Sequence, residues 1–253
     1  MRDRAVSNVV GFVLVFALIS ASVGVVTVFG FSTLEDARTD ERINNAERAF
    51  DVLADNFADV ARGGAPSRAT EIKLAEASLT LAETVDLSVN ASDEAAPYPA
   101  QFRPIVFSAG TGTEIAYEGG AVIRSQRGGA VMLREPNYLF SEERTVIHYI
   151  EPESASVDRV GGSSTVLVRG VRTVSRVLTA REVPSTVTLT LRLETTPERA
   201  AAWNRYFERQ IDWNDAHTNA SDPCAVSGGT VTCTFNSEEL YVTTTRIAVE
   251  FSS

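Results

Sequence analysis

Few side chains in this 253-residue chain are of the types that carry out acid–base or metal chemistry. Its two histidines are His148 and His217. The residues around His148 alternate like a strand, so we interpret it as a hydrogen-bonded sheet residue. Around His217, residues 212–222 offer oxygen ligands that suit calcium, but they lack the fixed glycine and final glutamate of a helix-loop-helix calcium site. We therefore expect no metal and no cofactor.

Neighbouring carboxylates offer a second kind of chemistry. Glu142 and Glu143, or Glu151 and Glu153, would suit glycoside hydrolysis only if a cleft held both groups at a defined separation. The chain has 33 acidic against 23 basic residues and a formal net charge of −10, which favours solvated carboxylates. No nucleophile, base and orienting acid can be assembled from the sequence. We predict that the protein has no catalytic residues and is not an enzyme.

The two cysteines, Cys224 and Cys233, lie on either side of the pair Gly228-Gly229. A two-residue hairpin turn at these glycines places the cysteines opposite each other at a non-hydrogen-bonded position. Their Cα atoms would then lie about 4.5 Å apart, which a disulfide tolerates. We predict a structural disulfide, which agrees with an oxidising compartment. A free thiol pair and half of a metal site are the alternatives.

Asn90 and Asn219 each begin an Asn-Ala-Ser triplet, which is an acceptor sequence for N-glycosylation. Both triplets lie in polar stretches typical of turns, so a glycan could attach to them on an exported protein. Two triplets in a chain of this length are near chance frequency, and the alternative is that neither is modified.

The longest uncharged stretch of the chain runs from Ala5 to Leu34. It exceeds the roughly 20 apolar residues that cross a bilayer as a helix. Arg2 and Arg4 precede it, and cytoplasmic flanks are typically enriched in positive charge. We therefore expect a single-pass membrane protein whose N-terminus is cytoplasmic and whose residues 35–253 lie outside the cell membrane.

Three interpretations of this stretch predict different mature proteins. A cleaved secretory signal would use residues 9–19 as its apolar region and the small residues 20–22 as its cleavage site. That cleavage would leave the apolar residues 23–31 as an exposed tail on a released protein. The second interpretation is an uncleaved signal anchor. The third is a leader that is clipped on the cytoplasmic side, so that the apolar segment stays attached.

The third interpretation is supported by the sequence Arg4-Ala5-Val6-Ser7-Asn8-Val9-Val10-Gly11. This sequence resembles the N-terminus of archaeal, especially haloarchaeal, type IV pilins, which carry a class III-type signal motif. The resemblance implies that a prepilin peptidase cuts between Ala5 and Val6, with the bond after Arg4 as the alternative. Asn8 stands where the motif usually has Pro, and Val10 stands where bacterial type IV pilins have Glu.

If the resemblance holds, the protein is a pilin-like surface subunit. It would contact other pilin-like subunits and a pilus assembly platform, and the large head favours a minor pilin or pseudopilin over a major subunit. The alternative is a membrane-anchored ectodomain that binds a surface ligand or partner protein and does not polymerise.

Residues 35–62 contain no Pro or Gly and carry one apolar stripe with helical spacing. We call this stripe the helix seam; it consists of Ile43, Ala46, Phe50, Leu53, Phe57 and Val60. A seam of this kind packs against the chain's own head or pairs with a neighbouring subunit as a coiled coil. Gly63 and Gly64 favour the end of the helix after Arg62.

The remaining residues, 63–253, predict one β-rich antiparallel head. Residues 186–194 and 241–251 alternate between apolar and polar, as half-buried strands do. Gly-Gly pairs that begin at positions 119, 128, 161 and 228 are typical of hairpin turns. One short helix begins near Thr196 and Pro197. We predict an α+β fold with four parts: a leader (1–5), a transmembrane helix (6–34), an outer amphipathic helix (35–62) and the head (63–253).

The charge balance narrows the range of partners. Lys73 is the only lysine, and the acid-rich, lysine-poor composition is similar to that of halophilic proteins. Nucleic acid favours a basic footprint on its protein partner. We therefore expect no nucleic acid among the partners.

Overall fold

The computed structural model of the chain describes residues 3–110, 112–141, 143–211 and 222–252, which contain two helices and fourteen strands. The helices are α1 (Asp3–Ala61) and α2 (Pro197–Ile211). The strands are β1 (Ser67–Lys73), β2 (Ala77–Leu81), β3 (Val85–Ala91), β4 (Tyr98–Phe102), β5 (Ile105–Ser108), β6 (Thr113–Glu118), β7 (Ala121–Gln126), β8 (Gly129–Arg134), β9 (Leu139–Phe140), β10 (Arg144–Ser154), β11 (Arg159–Gly162), β12 (Thr165–Glu194), β13 (Cys224–Ser227) and β14 (Thr230–Ser252).

The chain divides into two units, Met1–Asn44 and Asn45–Ser253. α1 runs for 59 residues and so contributes to both units. It contains no proline and ends at Ala61, three residues before Gly64, whose φ of 80° is a left-handed conformation that glycine adopts without strain. The described part of the first unit is helical throughout. The second unit contains the end of α1 and every other element.

The second unit contains an eight-stranded sheet with the order β4-β3-β12-β14-β10-β9, to which β1 and β13 add at the edges. β12 and β14 are long strands of 30 and 23 residues that pair in antiparallel fashion over most of their length. On its other edge β12 pairs first with β1 and later with β3. β12 is therefore the strand that joins most of this sheet.

A second sheet of six strands has the order β11-β2-β5-β6-β7-β8. All of its strand pairs are antiparallel. Tight turns at Gly119-Gly120 and at Arg127-Gly128 connect β6 to β7 and β7 to β8. Positive φ angles at these turns suit the hairpin geometry, which glycine adopts readily.

The largest apolar core joins both sheets to α2. α2 presents an apolar stripe to this core, and the stripe includes Trp203 and Phe207, both 0% exposed. Thr196 caps the helix, because its hydroxyl accepts a hydrogen bond from the backbone N–H of Arg199 at 3.5 Å. Phe140 and Phe235 of the eight-stranded sheet pack edge-to-face at 5.5 Å in the same core. Such pairs add to the stabilisation that burial itself gives.

The mixed helix and sheet content, the apolar N-terminal helix and the antiparallel sheets agree with the predicted fold class. Two details differ. β10 and β14 pair in parallel, because the chain travels through β11, β12 and α2 before it returns beside β10. Gly161-Gly162 is not a hairpin turn, since both glycines lie in β11 and pair with β2.

Candidate functional site

The most distinctive surface of the first unit is the apolar part of α1. Within the described residues, one helical segment, Val10–Thr27, is long and apolar enough to cross a membrane. None of that segment is buried, and its large side chains are exposed, with Phe12 72% and Phe16 63% accessible. Aromatic and aliphatic side chains that stay this exposed along a whole helix need an apolar surrounding. By length and composition, the N-terminal helix thus suffices for one membrane span.

The predicted processing residues lie at the beginning of the same helix. α1 begins at Asp3, so the backbone of Arg4, Ala5 and Val6 is helical. The peptide bond between Ala5 and Val6 therefore lies in the first turns of α1, directly before the apolar segment.

The helix seam belongs to the buried part of the chain. Its members are 8% exposed or less: Ile43 8%, Ala46 2%, Phe50 0%, Leu53 0%, Phe57 0% and Val60 0%. The five residues from Ala46 to Val60 lie in the second unit, so this half of α1 is part of the head. Full burial of each phenyl ring contributes roughly 1.5–3 kcal/mol by area alone.

Phe57 contacts both sheets of the head. Its ring packs edge-to-face on Tyr117 of β6, with the ring centroids 5.2 Å apart. It also lies against Gly170 of β12, where a Cβ atom would approach the Phe57 ring to 2.7 Å and Ile247 to 2.9 Å. Gly170 is therefore required for the ring to lie this close to the strand. Sequence patterns identified Phe57 as a buried residue but could not identify these contacts.

Ion pairs along the polar edges of α1 hold the same half of the helix. Arg134 of β8 donates hydrogen bonds to Asp51 at 2.8 Å and to Asp55 at 2.5 Å. The hydrogen bond from Arg134 lowers the pKa of Asp55, and the two carboxylates raise the pKa of Arg134. Arg124 of β7 pairs with Glu47 at 2.8 Å. These side chains are partly exposed, so each pair contributes little by itself.

A small polar cavity lies beside the last turns of α1. It has a volume of about 40 Å³, and its lining includes Ala58 of α1, Arg62 directly after that helix, Tyr117 of β6 and His148 of β10. The Nδ1 atom of His148 is 2.5 Å from the hydroxyl of Thr243. Burial lowers the pKa of His148 to about 4, so the ring is neutral at pH 7.

The two cysteines form a disulfide with an S–S distance of 2.06 Å and a Cα–Cα distance of 4.0 Å. β13 and β14 pair Cys224 with Cys233 and Ser227 with Thr230, which is the register expected from the turn at Gly228-Gly229. Cys224 and Cys233 are both buried in the main core. The cross-link therefore closes the hairpin where it packs beneath α2.

The two candidate glycosylation residues differ in what the structure shows of them. Asn90 lies inside β3 rather than in a turn, pairs with Thr190 of β12 and is half-buried. Its position in a paired strand makes it a poorer acceptor than the sequence suggested. Asn219 lies outside the described residues, as does His217.

The structure describes Glu143, Glu151 and Glu153 of the two carboxylate pairs. Glu151 is buried rather than solvated, because its carboxylate accepts hydrogen bonds from Thr244 and, at 3.1 Å, from Arg246. Glu153 accepts a hydrogen bond from Thr173 at 3.1 Å. The expectation of a solvated carboxylate was therefore wrong for Glu151. Glu142 lies outside the described residues.

Sequence reasoning missed a buried polar cluster around Glu118. Glu118 is 0% exposed and pairs with Arg199 at 2.7 Å, while Trp203 donates to its other oxygen at 2.7 Å. Thr195 completes the cluster by donating at 2.9 Å. Burial raises the pKa of Glu118, and the positive charge of Arg199 opposes this shift. The cluster ties β6 to α2; an acidic residue directly before a glycine turn gave no signal of burial.

Comparison with known proteins identifies a family. Residues 4–250 match the family of unknown function DUF7289, and the chain belongs to this family. No curated protein and no solved structure matches the chain. The matched region includes the apolar segment, the helix seam and nearly all of the head.

Proposed function

We propose that the protein is a pilin-like surface subunit, a minor pilin or pseudopilin, that an N-terminal helix anchors in the cell membrane. A prepilin peptidase clips it between Ala5 and Val6. The apolar half of α1 then serves first as the membrane anchor and later as the part that packs with other subunits in a filament. The head faces the outside of the cell.

The observation that carries this proposal is that one uninterrupted helix has an exposed apolar part and a buried part. Val10–Thr27 is fully exposed and apolar, whereas the seam from Ala46 to Val60 is buried in the head. A secretory signal removed near Ser22 would cut through the middle of this helix. A leader clipped before Val6 would remove only the first three residues of α1 and leave the apolar segment joined to the seam. The disulfide between Cys224 and Cys233 suits an exported head.

The N-terminus of the mature protein tests the processing step. We expect mass spectrometry of protein purified from native membranes to find Val6, or Ala5, as the first residue. In Arg4→Ala, which removes the charged residue before the cut, unprocessed chains should accumulate. In the control Arg2→Ala, processing should continue. An intact Met1 in the wild-type protein, or a cut near Ser22, would contradict the proposal.

A second candidate function is a membrane-anchored ectodomain that binds a surface ligand and does not polymerise. A monomeric ectodomain also accounts for the burial of the seam, because Phe50, Leu53 and Phe57 pack in the head and need no neighbouring helix. Shearing of intact cells separates the two candidates. A filament subunit is released in sedimenting fibres, whereas a single-pass ectodomain stays with the membrane.

A further inference from the structure

The small cavity beside the end of α1 has a polar lining that the membrane and filament roles do not use. Four elements line it: α1 contributes Ala54 and Ala58, β6 contributes Tyr117, β8 contributes Arg134 and β10 contributes His148, while Arg62 lines it directly after the end of α1. Its volume of about 40 Å³ is enough for a few water-sized particles, since each needs roughly 10–15 Å³. The cavity is therefore sized for an ion or for water and excludes an organic ligand.

Two polar atoms in the lining are buried without a hydrogen-bond partner among the described residues. They are the hydroxyl oxygen of Tyr117 and the Nε2 atom of His148. Tyr117 is 0% exposed, so its hydroxyl cannot reach bulk solvent. Buried polar groups nearly always have a partner, because leaving one unpaired is costly. Both residues line the same cavity, so one occupant can satisfy both atoms.

Both groups are neutral at pH 7 and are able to donate. Burial raises the pKa of Tyr117 and keeps its hydroxyl protonated. Burial lowers the pKa of His148 to about 4, so its ring carries a single N–H. The Thr243 hydroxyl lies 2.5 Å from His148 Nδ1. When Thr243 donates to Nδ1, the ring proton is on Nε2 and points to the cavity side.

The charges around the cavity favour an anion over a cation. Arg62 lines the cavity; burial raises the pKa of Tyr117 and the charge of Arg62 opposes this shift, whereas burial lowers the pKa of His148 and the charge of Arg62 adds to it. The lining carboxylate, Glu135, is already bound by Arg209 at 2.8 Å and by Gln210 at 3.2 Å. A cation would therefore meet a positive field with no carboxylate left to balance its charge.

We propose that this cavity is a binding site for a small monovalent anion of the size of chloride or bromide. The hydroxyl of Tyr117 and the Nε2–H of His148 donate to the anion, and Arg62 supplies the balancing charge. Because Arg62 directly follows α1 while Tyr117 and His148 lie in β6 and β10, the bound anion links the end of α1 to both sheets. The stability of the head then depends on the anion as well as on ionic strength.

The full-length protein in detergent allows a direct test by thermal unfolding. Sodium bromide is compared with sodium gluconate at equal ionic strength, because gluconate is too large for the cavity. A ligand that binds only the folded state raises the unfolding temperature as its concentration increases. We expect this rise in bromide and none in gluconate. Equal unfolding temperatures in the two salts at every concentration would overturn the proposal.

Paired variants separate site binding from general salt effects. Tyr117→Phe and Arg62→Gln should each weaken the apparent bromide affinity by about ten-fold or more, as expected when a charge-assisted contact is lost. Arg62 is exposed, so its replacement leaves the fold intact even if Tyr117→Phe does not. The controls are Tyr149→Phe, whose hydroxyl instead donates to Tyr98, and Arg68→Gln, whose partner is Asp59. Both controls should keep the wild-type response, and an equal loss in site and control variants would overturn the proposal.

Crystals of the full-length protein grown in sodium bromide locate the ion. The proposal expects an anomalous bromine peak within hydrogen-bond distance of Tyr117 Oη and His148 Nε2. Water density at this position without an anomalous peak would show that the cavity is a hydration site only, and would overturn the proposal.

Discussion

The two halves of α1 contain similar apolar side chains in opposite surroundings. Phe16, in the first unit, is 63% exposed, whereas Phe57, in the second unit, is 0% exposed. Val10–Thr27 is apolar on all sides of the helix, and the later half is apolar along one seam only. A helix that is apolar all round needs an apolar solvent, while a one-sided helix needs only one packed neighbour. The pattern around the helix, rather than the number of apolar residues, distinguishes the two halves.

This difference also separates what each half contributes. The later half stabilises the head through burial and through ion pairs such as Arg134 with Asp51 and Asp55. The first half has no ionisable side chain from Ala5 to Leu34, so it can offer a partner shape, apolar surface and a few hydroxyl or amide groups but no ion pair. We expect changes in the first half to alter where the protein resides, and changes in the second half to alter how stably it folds.

The largest predicted effect is on the seam. Phe57→Ala should lower the free energy of unfolding of the head by about 3–5 kcal/mol, because it empties the space between Tyr117 and Gly170. Urea unfolding of the full chain in detergent, monitored through the fluorescence of buried Trp203, measures this loss of stability. The matched change Phe16→Ala should leave this transition unchanged. A similar loss in both variants would remove the distinction between the two halves.

The second effect concerns the apolar half. Val15 and Val52 are similarly accessible, at 57% and 51%, but only Val15 lies in the apolar segment. Val15→Lys places a charge inside that segment, at a cost of up to about 2.5–3.5 kcal/mol, the value for a lysine at the centre of a membrane helix. We expect its membrane-bound fraction to fall in carbonate-washed membranes, whereas Val52→Lys should match the wild type. Full retention of Val15→Lys would argue against lipid as the surroundings of this segment.

A third prediction uses the pH dependence of the head. Burial lowers the pKa of His148 from its usual 6.5 to about 4. As the pH falls, the unfolded chain therefore takes up the proton first. The contribution of neutral His148 to the stability of the head is fully present above pH 6.5 and is lost as the pH falls toward about 4. In gluconate buffer, His148→Gln should reduce the loss of unfolding free energy between pH 6.5 and pH 4 by about 1–3 kcal/mol.

Other carboxylates also titrate in this range, so the wild-type curve alone does not test His148. The difference between wild type and variant isolates its contribution, because every carboxylate is common to both proteins. Curves that stay parallel from pH 7 to pH 4 would show that His148 titrates normally in the folded head.

The smallest predicted effect concerns the ion pairs that hold the seam half. Arg134→Gln should cost about 0.5–1 kcal/mol, and less at high salt, because Asp51 and Asp55 are mostly exposed. Arg181→Gln is the matched control, since Arg181 also binds two carboxylates, Asp93 and Glu94. Hydrogen exchange should quicken in the last turns of α1 for Arg134→Gln only. An unchanged exchange rate in these turns would show that the ion pairs do not hold the end of α1 on the head.

The parts of the fold that could be predicted from the sequence are those that depend on neighbours along the chain. The hairpin register of Cys224 and Cys233 follows from a two-residue turn, and both cysteines were assigned on that basis. The start of α2 follows from Thr196 and Pro197. The buried positions of the seam follow from helical spacing alone. Each of these signals is contained within a few consecutive residues.

The parts that could not be predicted depend on residues far apart in sequence. The burial of Glu118 becomes understandable only when Trp203 and Arg199 are seen around it, and that of Glu151 only when Thr244 and Arg246 lie beside it. A carboxylate on an acidic chain gives no local sign that arginine and hydroxyl donors will enclose it. The same limit applies to the parallel pairing of β10 with β14.

By itself, the sequence determined the apolar N-terminal helix, the seam spacing, the cysteine hairpin and the alternation of the strands, because periodicity and turn geometry are local properties. Only the tertiary structure decided which surface covers the seam, which strands pair, and where Tyr117 and His148 meet beside Arg62. Those outcomes depend on packing between residues far apart in sequence. Local patterns are compatible with many such pairings, and only the fit of the side chains and their burial distinguish them.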